Sequence, residues 1–147
     1  MKRLDKAAEA IARSIRQCEH MRVISHNDAD GITSAGLICH ALMRAGIPFQ
    51  ATLVNRLDRS VIDGLTGPVV FCDMGSGKPD LISRVQGECF VLDHHRPVGT
   101  LDCMHHNPHL FGIDGAFELS AAGTVYSVVR HMGDNADLAG LALVGAM

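Results

Sequence analysis

Three short apolar runs in this chain each stop at ionisable side chains, and that recurrence constrains the fold more than any other feature. Val23-Ile24-Ser25 runs into His26-Asn27-Asp28-Ala29-Asp30-Gly31, Val69-Val70-Phe71-Cys72 into Asp73, and Cys89-Phe90-Val91-Leu92 into Asp93-His94-His95. Short, continuously apolar runs are the mark of strands covered on both faces. Helical spacing fills the intervals. Leu4, Ala7, Ala8, Ile11, Ile15 and Cys18 share one face of a helix over 3–19. Ile32, Ala35, Cys39, Leu42 and Met43 share one face of a helix over 32–45, closed by Gly46 with Pro48 beyond. The pattern further predicts a strand over 49–54, short helices over 57–65 and 79–85, and a short strand over 101–106. A glycine-containing loop over 111–117, a helix over 120–132 and a last helix from 138, capped by Asp137, complete it. Strands alternating with helices give an α/β fold: a mostly parallel, five-stranded sheet with helices on both faces.

In a parallel sheet the three ionisable strand ends lie on one rim, where open α/β sheets place their ligands. A helix start with dipole-favoured acids, Asp30 as its cap, would account for the first cluster alone. It does not account for Asp73 or for Asp93-His94-His95. Gathering so many carboxylates and imidazoles costs free energy unless cations or hydrogen bonds compensate. Carboxylate oxygens with imidazole nitrogens suit a pair of Mn²⁺ or Mg²⁺ ions better than one zinc. Asp73, between the other clusters, can bridge two ions about 3.5–4 Å apart. Such a pair activates water and neutralises charge at phosphorus, so hydrolysis of phosphoesters or phosphoanhydrides is the reaction class favoured.

The remaining composition narrows the setting. The 147 residues carry a net charge of −3, which does not announce nucleic acid, although two divalent cations would add positive charge at the rim. Cys18, Cys39, Cys72, Cys89 and Cys103 are far apart with no C-x-x-C pair, which suits reduced core thiols rather than zinc ligands or disulfides. No signal peptide and no apolar run of the roughly 20 residues needed to span a bilayer are present, so a cytoplasmic, non-membrane protein is expected. Gly75-Ser76-Gly77-Lys78 lacks the first glycine and the final Ser/Thr of a phosphate loop and reads as a turn. His105, His106 and His109 read as loop histidines near the rim.

His26-Asn27-Asp28-Ala29-Asp30-Gly31, Asp73-Met74-Gly75 and Asp93-His94-His95 resemble the first three motifs of the DHH phosphoesterase family. The stretch from Ser25 to Gly36, with Ser120-Ala121-Ala122-Gly123-Thr124, resembles the archaeal RecJ-like branch of single-strand exonucleases. The resemblance implies one ion on His26, Asp28 and Asp73, and a second on Asp30, Asp73 and His94. It implies that His95 faces the scissile phosphate and that Asp93 orients a histidine from behind. Arg96 and the helix start at Ser120 to Gly123 would meet an anionic substrate. The implied substrate is single-stranded DNA or RNA, and replication or repair proteins are implied as partners. Short oligonucleotides, cyclic dinucleotides and pyrophosphate are substrates of other members, and some RecJ-like relatives are non-catalytic scaffolds. One departure stands out: a fourth-motif aspartate is expected after the apolar stretch Leu141 to Gly145, but only Ala146 and Met147 follow. The sequence therefore reads as one DHH domain over 1–147, shortened at its C-terminus and without the second, substrate-gripping domain.

Overall fold

The computed structural model describes residues 1–147. The elements are α1 (Lys2–Arg16), β1 (Met21–His26), α2 (Ala29–Arg44), β2 (Phe49–Val54), α3 (Arg59–Ile62), β3 (Val69–Cys72) and α4 (Pro79–Ile82). They continue with β4 (Cys89–Leu92), β5 (Met104–His106), α5 (Ala121–Val129) and α6 (Ala139–Gly145). All five strands form one parallel sheet in the order β2-β1-β3-β4-β5.

Strand period two sorts the side chains onto two faces. Val23, Val70 and Phe90 are register neighbours and face the larger core, built with Ile11 and Ile15 of α1, Leu37 and Ile38 of α2, and Val125 and Val128 of α5. Ile24, Phe71 and Val91, one residue on, face a smaller core with Ile62 of α3 and Ile82 of α4. The sheet is thus covered on both sides, which explains the unbroken apolar runs of β3 and β4.

The chain leaves β1 for β2 on one side, then returns past β1 to β3 and onward. The order reverses between β1 and β3, and open α/β sheets bind ligands in the crevice at such a switch point. His26 ends β1 and Asp73 follows β3, so two ionisable strand ends flank that crevice.

Two sequence expectations are corrected here. The fifth strand begins at Met104 rather than Leu101, and His105 and His106, read also as loop histidines, are strand residues within it. Asp137 does not cap the last helix. A 3-10 turn over Ala136–Leu138 leads into α6, and Asp137 instead forks onto the Arg44 guanidinium with two contacts of 2.7 Å. A bidentate, charge-assisted pair outcompetes a cap for that carboxylate.

Candidate metal centre

Asp28, not Asp30, caps α2: its backbone is extended and its side chain accepts the Gly31 amide at 2.9 Å. Gly31 is obligatory there, because a Cβ would overlap the His26 carbonyl group. Buried Ser25 secures the turn, its hydroxyl lying 2.7 Å from the Gly31 carbonyl oxygen and 3.1 Å from that of Cys72 on β3. The loop therefore folds back over the strand end and points His26 and Asp28 at each other, with Nδ1 to Oδ2 at 2.9 Å. The His26 Nε2 lies 2.8 Å from the Asn55 carbonyl oxygen after β2. With Nε2 engaged there, Nδ1 is the nitrogen turned inward toward Asp28 and Asp73, the orientation expected of a metal-binding histidine.

Asp73 lies at the middle. Its φ of 59° is a left-handed conformation that Asp tolerates better than most residues. Its side chain is 2% exposed, its Oδ2 lies 3.9 Å from His26 Nδ1, and its Oδ1 lies 3.4 Å from His94 Nε2. The same Oδ1 is buried without any hydrogen-bond partner. His94 is oriented like His26: its Nδ1 lies 2.8 Å from the Gly115 carbonyl oxygen, which leaves Nε2 facing Asp73 and, at 3.8 Å, Asp30.

Two groups of side chains place ligand atoms within 4.8 Å of one another, His26 with Asp28 and Asp73, and Asp73 with His94 and His95. Asp73 belongs to both. His95 differs from His94 in that its Nδ1 is committed to Asp93 Oδ1 at 2.7 Å, and most of its ring is exposed. Asp93 is fully buried; its Oδ1 also accepts the His94 and His95 amides, and its Oδ2 accepts the Ser76 amide at 2.9 Å. Burial pushes Asp93 up, but His95 and these amides outweigh it and hold the carboxyl below the ordinary range.

The centre is short of positive charge. Burial, reinforced by Asp30 and Asp28, raises Asp73 against the lowering effect of His94. The Asp73 carboxylate, 3.4 Å away, in turn lifts His94 to about 9. At neutral pH a proton on His94 occupies the place in the charge balance that a cation would take. Carboxylate oxygens, inward imidazole nitrogens and a buried, unpartnered Asp73 oxygen fit a hard or borderline divalent ion.

Asp30 makes a contact that its position on α2 does not foretell. Its oxygens accept the Ala121 and Ala122 amides at the start of α5, at 2.9 and 2.7 Å. The Gly123 amide is taken by the Ser120 hydroxyl and the Thr124 amide by the Ser120 carbonyl. The helix start over Ser120–Gly123 thus has its amides engaged within the protein rather than turned out for an anion. Arg96 is exposed and borders a cavity of 290 Å³ together with His94, His95 and His109. Larger cavities of 440 and 680 Å³ are lined by none of His26, Asp28, Asp73, His94 or His95; the first lies beside Cys89 and the second beside Gly123 and Tyr126.

The sequence reading missed the support behind His95. Asn107 is fully buried and donates to the Ser76 hydroxyl and to the His95 carbonyl, both at 2.8 Å, while its own oxygen accepts the His109 amide. Ser76 Oγ also lies 2.8 Å from His105 Nε2. The Asn-Pro pair at 107–108 signalled a turn, but nothing local indicated that its amide reaches back to β3 and β4. His106 is buried on Ser127 and remote from the ligand groups; burial lowers it to about 4.

Comparison with known proteins agrees with this architecture. The DHH family, N-terminal domain, matches residues 20–146. An uncharacterized protein of Methanocaldococcus jannaschii is 36% identical, across 99% of this chain and 36% of its own length. The fold is similar to RecJ of Thermus thermophilus in complex with Mn²⁺ (TM-score 0.75, 22% identity, 97% of this chain and 23% of that one). It is similar also to exonuclease RecJ bound to manganese (0.73, 21% identity, 97% and 42%) and to CDC45 of Entamoeba histolytica (0.70, 17% identity, 97% and 33%). The chain spans about a third of the curated relative's length.

Proposed function

The chain belongs to the DHH family, and from that premise we propose that it is the metal-binding domain of a phosphodiesterase that hydrolyses single-stranded DNA or RNA. The observation that carries this reading is Asp73, its side chain 2% exposed and shared by two groups of potential ligands. His26, Asp28 and Asp73 would hold one Mn²⁺ or Mg²⁺, and Asp30, Asp73 and His94 the other. Bound there, the ions supply charge neutralisation at phosphorus and a lowered pKa for water.

The chain's own residues do the rest. The Asn55 and Gly115 carbonyls engage one nitrogen each of His26 and His94 and so turn the other nitrogen inward. Asp93 fixes the Nδ1 proton of His95 and raises that imidazole, which leaves its other nitrogen to give a proton to, or hold, an oxygen of the scissile phosphate. Ser76 and Asn107 keep Asp93 and the His95 backbone in register.

The test is cleavage of a 5′-labelled single-stranded oligonucleotide with Mn²⁺, with and without Asp73→Ala. Mononucleotide release that the substitution abolishes supports the reading. Cleavage of pyrophosphate instead, with the oligonucleotide intact, would overturn it.

A further inference from the structure

We infer that Phe117 is a stacking platform for the nucleobase beside the scissile phosphate, so that the cavity it borders is a nucleoside subsite; this rests on the phosphodiesterase reading above. Phe117 is 91% exposed, and it lines one cavity with His94, His95, Arg96, His109, Asp114 and Ala116. Single exposed apolar residues are common and need no explanation. This one differs in where it stands and in how firmly it is held.

The loop that carries it is closed by its own hydrogen bonds. Asp114 Oδ1 accepts the Ala116 amide, Asp114 O accepts the Phe117 and Glu118 amides, and Glu118 Oε2 accepts the Asp114 amide. The loop is also fastened to the centre, because the Gly115 carbonyl accepts from His94. Gly115 must be glycine: a Cβ would overlap the His94 carbonyl and come within 3.1 Å of His109 Nε2. Two residues beyond this fastening, the Phe117 ring stands unpacked. Burying that ring against a flat aromatic partner would remove it from water without disturbing the core.

The surroundings favour a nucleotide as that partner. Arg96 provides a cation, and His95, its Nδ1 held by Asp93, has its Nε2 left for a phosphate oxygen. Asp114, the one acid in the lining, has an oxygen turned onto the Ala116 amide. At 290 Å³ the cavity is small, suited to one base with its sugar rather than to a longer segment. Stacking accepts any base, since each has a π face, so the subsite would hold a strand end without reading its sequence. Pyrophosphate has no ring to offer and would gain nothing from Phe117.

The chain has no tryptophan, so Phe117→Trp installs a single fluorophore at the subsite. The probes are tetrathymidylate, an abasic deoxyribose phosphodiester of the same length, and pyrophosphate, titrated with Ca²⁺ in place of Mn²⁺ to hold back cleavage. Tetrathymidylate should quench the new tryptophan and the abasic strand should not. Phe117→Ala should weaken tetrathymidylate binding roughly 5- to 100-fold, the span that base–aromatic stacking carries, and leave abasic binding unchanged. If Phe117→Ala binds tetrathymidylate as the wild type does, the subsite is refuted while the nucleic-acid reading stands. If the wild type binds pyrophosphate but neither strand, that reading falls and the subsite with it.

Discussion

Asp30 Oδ1 accepts the backbone amide of Ala122 at 2.7 Å, across 92 positions of sequence. Its other oxygen takes the Ala121 amide, and both alanines are fully buried. The carboxylate therefore completes the N-terminus of α5 whether or not a cation is present. Asp30→Ala should destabilise the metal-free protein by about 1–3 kcal/mol, the cost of stranding buried donors. Urea unfolding with a chelator present checks this. An unchanged midpoint would mean that the two amides find water or another acceptor.

His94 makes the metal-free fold sensitive to alkali. The folded protein holds its proton to about 9, against an ordinary value of 6.5, chiefly through Asp73. A pKa raised on folding contributes stability that is complete below the unfolded value and disappears as pH rises through the folded one. Stability without metal should therefore fall from about pH 6.5 to about 9, and His94→Gln should flatten that slope. A cation taken up by His94 would have to displace the same proton, so on the proposed ligand set Mn²⁺ affinity should rise over the same interval. Denaturation midpoints and calorimetric titrations at several pH values measure the two trends.

Asp93→Asn keeps the size of the side chain and spoils its hydrogen bonding. Asp93 accepts from three backbone amides and from His95 Nδ1, and an amide NH₂ in place of one oxygen would face a donor. Turnover should fall by about 10²–10⁴, the range of a positioned acid or base, while Mn²⁺ affinity changes little. Loss of Mn²⁺ binding in this variant would count Asp93 or His95 among the ligands.

Gly145→Ala should injure the centre from the far side of α6. A Cβ there would overlap the Thr33 hydroxyl and come within 2.5 Å of Ala122 Cβ and 3.1 Å of Asp30 Oδ1. Crowding of this kind costs about 1–3 kcal/mol, and here it pushes on the Asp30 carboxylate. A lower melting temperature with weakened Mn²⁺ binding is expected. Gly140→Ala, which meets nothing within 4 Å, is the control.

The sequence was most readable where one physical signal had one interpretation. The apolar runs at 69–72 and 89–92 match β3 and β4 residue for residue, because strands buried on both faces admit no polar interruption. The meeting of His26, Asp28, Asp73 and His94 followed from parallel strands sharing a rim. The partners of Asp30 and Asn107 were not readable. Each reaches a segment far along the chain, and which amide or carbonyl waits there depends on how α2, α5 and β5 pack. The preference for Asp30 over Asp28 as the cap of α2 failed because the helix starts earlier, at Ala29, and that start decides which carboxylate is left free to travel.

The sheet order carries a further consequence for how the centre survives disturbance. The strands that deliver His26, Asp73 and His94 are β1, β3 and β4, and each has a neighbour on both sides; the outermost strands, β2 and β5, deliver no carboxylate. Every residue of β2 from Phe49 to Leu53 is exposed, so this border is where hydrogen exchange should begin. Fraying of β2 would release the Asn55 carbonyl from His26, and parting of β5 would slacken Asn107, but neither event removes a ligand atom. The chain can breathe at its margins, under heat or beside a partner, and still keep the constellation assembled until the sheet itself is breached.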